Sequence, residues 1–182
     1  MTNNKLAATF GTLAGILLVI FCFASWAAGM ASFATFLMWY SWLPVVFLII
    51  LVGAFVKRKQ LGGFMSFKEG IQFAFLAYVI FEIFYALSIL VLFRIVDPQL
   101  QDKVMPFVIE KMRSFMERYG ISKDQMTEIV EKAKEGNANK YTVGQVIMGF
   151  GLAIIYDFVK SVIIAAIAQR RKPQVVIKES NR

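Results

Sequence analysis

Residues 6–56 run for fifty-one positions without one charged side chain, bracketed by Lys5 and Lys57. An apolar helix needs only ~20 residues, at ~1.5 Å rise each, to cross the hydrocarbon core of a bilayer. A stretch this long crosses twice with a turn between, so the chain reads as an all-α integral membrane protein. Hydrophobic residues make up 58% of the 182 positions, above the ~45–50% of soluble domains. At this length a single membrane domain covering residues 1–182 is expected.

The charges follow the same division. Residues 1–5, 57–70 and 169–182 hold ten Lys/Arg against two Glu, whereas residues 97–140 hold eight of each sign. Glu82, Arg94, Asp157 and Lys160 cancel among themselves. With four crossings, the whole net charge of +8 lies in segments that share one side of the membrane. That is the positive-inside bias, and it predicts both termini in the cytoplasm. It also accounts for the basic composition without a nucleic-acid partner.

Four spans are predicted, at about residues 6–30, 36–56, 71–93 and 141–168. A cleaved signal peptide competes for the first, since Ser25-Trp26-Ala27 offers small residues around a bulky one. Its apolar core, however, runs past the usual ~7–15 residues. Residues 32–35 are expected to turn outside the membrane, and Pro44 to kink the second helix or delay its start. Trp39, Tyr40 and Trp42 cluster at that outer end, as amphipathic rings do at headgroup depth. Lys57-Arg58-Lys59 stops the span on the cytoplasmic side. Gly62-Gly63 allows a sharp bend, and Ser66 with Glu69 makes a capping box for the third helix.

Residues 97–140 form the one sizeable polar region. Asp97-Pro98 suits a helix start. Leu100, Val104, Val108, Met112, Phe115 and Tyr119 then recur at three- and four-residue intervals, an apolar stripe on an amphipathic helix. Pro106 is a kink candidate. Gly120 ends that helix, and Ser122 with Gln125 caps a shorter one. The expectation is an extracytoplasmic helical hairpin whose Met105, Met112, Met116 and Met126 either line a surface for a protein partner or simply pack. Residues 169–182 read as a loose basic cytoplasmic tail near anionic headgroups.

An enzyme is not expected. Histidine is absent and Cys22, the sole cysteine, lies in the first apolar run. No metal or other cofactor is implied, and the glycines after Lys59 lack the spacing of a phosphate-binding loop.

The run Phe64-Met65-Ser66-Phe67-Lys68-Glu69-Gly70 opening the third span, Asp97-Pro98 after it, and an acidic, Met-rich segment before a Gly-containing last helix carry a resemblance. With its four spans, the whole chain resembles the bacterial membrane-protein family called domain of unknown function 4199. The resemblance implies an inner-membrane location and this architecture. It implies no reaction or ligand.

Three charges inside the predicted spans are the candidate functional residues. Counted from Gly70 upward and from Gln169 backward, Glu82 and Asp157 each lie twelve residues in, or ~18 Å deep. Lys160 shares a helix face with Asp157. Insertion costs about 2.5–3.5 kcal/mol for such a charge at a helix centre, against about 0.3–0.6 gained per Leu, Ile, Phe or Val. The third span carries fifteen of those four types between Ile71 and Phe93, so Glu82 does not prevent insertion. It should face the bundle interior and a partner. Two readings follow: a structural ion pair between helices, or a proton- or ion-linked site in a small transporter or channel subunit. Tyr78, Tyr85 and Tyr156 are candidate hydroxyl partners. Separately, Gly11 and Gly15 make a GxxxG motif, continued by Ala24, Ala27, Ala28 and Ala31, for close helix packing within the chain or in a homo-oligomer.

Overall fold

The computed structural model describes residues 3–40, 44–137 and 142–170. Every regular element among them is a helix. They are α1 (Asn3–Ala27), α2 (Met30–Trp39), α3 (Pro44–Gln60), α4 (Phe67–Val91), α5 (Leu100–Arg118), α6 (Lys123–Asn137) and α7 (Val143–Ala168). A π turn, Leu92–Val96, prolongs α4. Three helices are long and apolar enough to cross a membrane, namely α1, α4 with its π turn, and α7. α2 and α3, bent by 48° at a short break, would make a fourth if they form one broken span. By this measure the chain is a membrane protein.

α4 is the central rod, packed most extensively on α7 and α1. Its start is well made: Ser66 Oγ accepts from the Glu69 N–H at 3.3 Å, and Glu69 Oε2 accepts from the Ser66 N–H at 2.8 Å. The capping box read from the sequence is therefore formed, with both reciprocal bonds in place. α1 runs parallel to α4 and nearly touches it at Gly11 and Gly15. A Cβ on Gly11 would come within 2.5 Å of the Ala77 carbonyl oxygen, and one on Gly15 within 2.6 Å of the Phe84 ring. On the other side, a Cβ on Gly70 would lie 2.9 Å from that of Ala165 in the antiparallel α7. The Gly11–Gly15 motif thus faces α4 inside the chain, while Ala24, Ala27, Ala28 and Ala31 are exposed.

The predicted turn at residues 32–35 is corrected. The chain turns at Ala28 and Gly29, and α2 begins at Met30. Gly29 has φ +110°, a conformation costly for any side chain. Thr35 sits inside the helix with its hydroxyl bonded back to the Ala31 carbonyl at 2.9 Å, an option that makes a short Ser/Thr run ambiguous as a turn signal. Consequently residues 36–56 are not one helix: α2 ends at Trp39 and α3 starts at Pro44, the later start that proline favours. Trp42 and residues 138–141 and 171–182 lie outside the described residues.

Beyond α4, helix α5 begins at Leu100 rather than at Pro98. Asp97 does not cap it; its Oδ1 accepts from the Gln99 N–H at 3.2 Å, and its carboxylate pairs with Lys103 at 2.8 Å. Pro106 lies within α5 without ending it, and Gly120, at φ +70°, follows its end. The stripe divides by position. Leu100 and Val104 are buried with the main core, whereas Phe115 and Tyr119 are exposed. Met116, Met126 and Val130 form a small second core between α5 and α6, so those methionines pack rather than line a surface.

Gly15→Leu should lower the detergent-solubilised protein's thermal midpoint, as overpacking costs about 1–3 kcal/mol. Gly144→Ala, where an added methyl meets nothing within 4 Å, should leave it unchanged. Equal midpoints for the two variants in a thermal-shift measurement would contradict the close approach of α1 and α4.

Candidate functional site

The α4–α7 interface brings together the three charges of the predicted third and fourth spans. Glu82 faces inward on α4 at 3% exposure, and Asp157 on α7 at 1%. Lys160 Nζ donates to Asp157 Oδ1 at 2.9 Å, one helical turn along the same face. Its side chain keeps 31% exposure, so its ammonium head is only partly withdrawn from the surroundings. Ser161 Oγ donates to the Asp157 backbone carbonyl at 2.7 Å and so leaves the carboxylate alone. The second carboxylate oxygen, Oδ2, is buried without a donor. Across the interface stands the Glu82 carboxyl, close enough to that of Asp157 for a side-chain hydrogen bond if one of the two acids supplies the hydrogen.

Tyr78 lies one turn from Glu82 on the same α4 face. Its ring is 5.4 Å from Lys160 Nζ, while its hydroxyl is buried with no hydrogen-bond partner among the described residues. Tyr85 also joins the neighbourhood, its ring stacked on that of Tyr40 at 3.9 Å between centroids. Tyr156, the third tyrosine named from the sequence, does not belong: it is 69% exposed on the outer face of α7. A helix turns by about 100° per residue, so Tyr156 cannot share the direction of Asp157 beside it.

Glu82 is also part of the wall of a cavity of about 340 Å³, together with Tyr40, Tyr85, Gln145, Gly149 and Leu152. The α7 residues in that wall all belong to its first half, so the cavity extends from Glu82 toward the end of the bundle where α7 begins. Gly149 leaves room there, since a Cβ added to it would meet nothing within 4 Å. No group of three or more His, Cys, Asp or Glu able to hold a metal ion occurs among the described residues.

At the opposite end lies a residue whose burial sequence reasoning did not foresee. Lys57, in the basic run that follows the second predicted span, is 3% exposed. Its Nζ donates to the Glu69 carbonyl at 2.9 Å and stands 5.4 Å from the Phe73 ring centroid. The signal was present: Ile50, Gly53, Ala54 and Lys57 are spaced along one helical face, and all four are buried. Beside it Arg58 donates to the Ala168 carbonyl at 3.2 Å. Met65 and Arg170 exchange backbone bonds of 3.0 and 2.9 Å. These contacts tie the end of α3, the start of α4 and the end of α7 into one basic cap.

Removing Lys160 alone strands the Asp157 carboxylate, a change that costs about 3–5 kcal/mol for a fully buried pair, whereas replacing both charges by neutral groups is close to neutral. Lys160→Met should therefore reduce the folded yield, and Asp157→Asn combined with Lys160→Met should recover it. Yield measured by size-exclusion chromatography in detergent checks this; additive losses would mean that the two side chains are not coupled.

Among curated proteins and among solved structures, nothing matches this chain. The protein family described as "Protein of unknown function (DUF4199)" matches residues 9–170, nearly the whole length, and the chain belongs to that family.

Proposed function

We propose that the chain is an accessory protein of the bacterial inner membrane. In this reading it crosses four times, keeps both termini in the cytoplasm, and offers α5 and α6 as an extracytoplasmic helical hairpin to a protein partner. Support for the topology comes from the basic cap. Lys57, Arg58 and Arg170 meet at the end of the bundle where α4 starts and α7 stops. α5 and α6 follow the far end of α4. An even number of crossings, with α2 and α3 counted as one broken span, keeps both termini on one side, and the positive-inside bias favours the basic cap as the cytoplasmic end.

The observation that carries the partner reading is a trough of about 510 Å³ between α2 and α5. Trp39, Phe107 and Phe115 supply apolar surface there, and Glu110, Lys111 and Arg118 supply charges. Tyr119, at 71% exposure, sets its ring 4.6 Å from that of Phe115, tilted by 42°, beside the trough. An aromatic lining with mixed charges suits an amphipathic helix of another protein. The alternative of a small proton- or ion-linked transporter subunit draws on the meeting of Glu82, Asp157 and Lys160. That cluster supplies a place to hold an ion; transport requires more than a place.

Two measurements test the proposal. Protease added to intact spheroplasts should cut within residues 97–140 and spare residues 171–182; the reverse pattern overturns the orientation. A photo-crosslinking residue introduced at Tyr119 should capture a discrete protein that disappears when Phe115→Asp disrupts the trough. Crosslinking to lipid alone would remove the partner reading.

A further inference from the structure

We propose that Glu82 and Asp157 together hold a single exchangeable proton, reached through the cavity along the first half of α7. The inference rests on the membrane reading above for the dryness of the site. Two carboxyls share the interface with one ammonium, and Lys160 is committed to Asp157 Oδ1. The other elements bring no compensating charge. Residues 6–56, which include the apolar lengths of α1, α2 and α3, contain none, and Asp157 and Lys160 are the sole charged residues of α7. The remaining titratable groups around Glu82 are the phenols of Tyr78, Tyr85 and Tyr40. An unanswered carboxylate at this depth is costly, so the site needs one more positive charge.

The donor set selects which cation. Ion sites in membrane bundles draw on carbonyl oxygens released where a helix unwinds. Here α4 runs unbroken over Phe67–Val91 and α7 over Val143–Ala168. Their midpoint carbonyls are used within the helices, so neither helix offers a sodium or potassium ion the backbone oxygens it would draw on. A proton needs only two. Asp157 Oδ2 is a buried acceptor lacking a donor, and the neighbouring Glu82 carboxyl can donate to the Asp157 carboxylate once protonated. The buried Tyr78 hydroxyl, also without a hydrogen-bond partner among the described residues, offers a further donor or acceptor when the proton moves.

Access is asymmetric. Asp157 is enclosed, whereas Glu82 reaches the cavity, whose polar lining of Tyr40, Tyr85 and Gln145 leads toward the start of α7. Exchange therefore proceeds from Glu82 and from that end of the bundle.

The test uses the full chain purified in detergent and treated with dicyclohexylcarbodiimide, which modifies protonated carboxyls in apolar surroundings. Sites are mapped by peptide mass spectrometry across a pH series. Glu82 should be modified, with labelling falling roughly tenfold per pH unit once the proton leaves. Sodium or potassium chloride should not protect it. Glu82→Gln should abolish the adduct. Gly149→Phe, which fills open space in the cavity, should slow labelling severalfold while the protein stays monodisperse. Absence of adduct on the wild-type chain at every pH, protection by sodium, or wild-type labelling of a folded Gly149→Phe variant would each overturn the inference. Carbonate washing of the source membranes reports on the membrane reading separately: a chain that resists the wash yet never labels loses the proton site alone.

Discussion

Inside a bilayer apolar side chains gain nothing by leaving lipid for protein, so helices associate only where their surfaces fit closely enough for dispersion contacts to outweigh those with lipid tails. α4 meets that condition on two sides. Gly11 and Gly15 let α1 approach until the Ala77 carbonyl and the Phe84 ring fill the space of a side chain. Gly70 does the same against Ala165 of α7. Every other feature of the bundle depends on this central helix being clamped, because its position decides which residues of α7 stand opposite Glu82.

The two ends and the middle of the bundle then treat charge differently. At the basic cap, Lys57 and Arg58 are answered by backbone carbonyls at Glu69 and Ala168. Ala168 closes α7, where carbonyls lack intrahelical partners and a cation satisfies one. Around Glu82 and Asp157 neither α4 nor α7 ends, so their side chains must answer one another. Lys160 satisfies one oxygen of Asp157; the second oxygen has no donor among the described residues, and α7 carries no second cation for Glu82. The site's chemistry follows from that shortfall of one charge.

Past the π turn, the chain becomes amphipathic. α5 keeps Leu100 and Val104 in the main core but turns Phe115 and Tyr119 outward. With α6 it closes a second, much smaller core around Met116, Met126 and Val130. The predicted stripe was continuous, and periodicity alone could not say where along it the covering element stops. That boundary is set by α2, only ten residues long and ending at Trp39.

Strong, local signals were legible in the sequence. Long charge-free runs imply helices of membrane length, since an unpaired backbone is intolerable in hydrocarbon. The Ser66–Glu69 box, the placement of Glu82 and Asp157 at one depth, and the Gly11–Gly15 spacing are all matters of counting along a chain. What counting could not reach was anything settled by a choice between partners. Gly29 rather than residues 32–35 makes the turn, because the Thr35 hydroxyl returns to its own helix. Lys57 is buried because the start of α4 offers it a carbonyl. Tyr78 and Tyr85 lie near Glu82 while Tyr156 stands outside, since only the rotation of α4 and α7 about their axes determines which phenols meet. Composition and spacing determined that the chain is helical and apolar enough for a membrane; the packed interface of α4 with α7 decided which charges touch, because contact depends on the facing angles of two helices and a sequence records only one helix at a time.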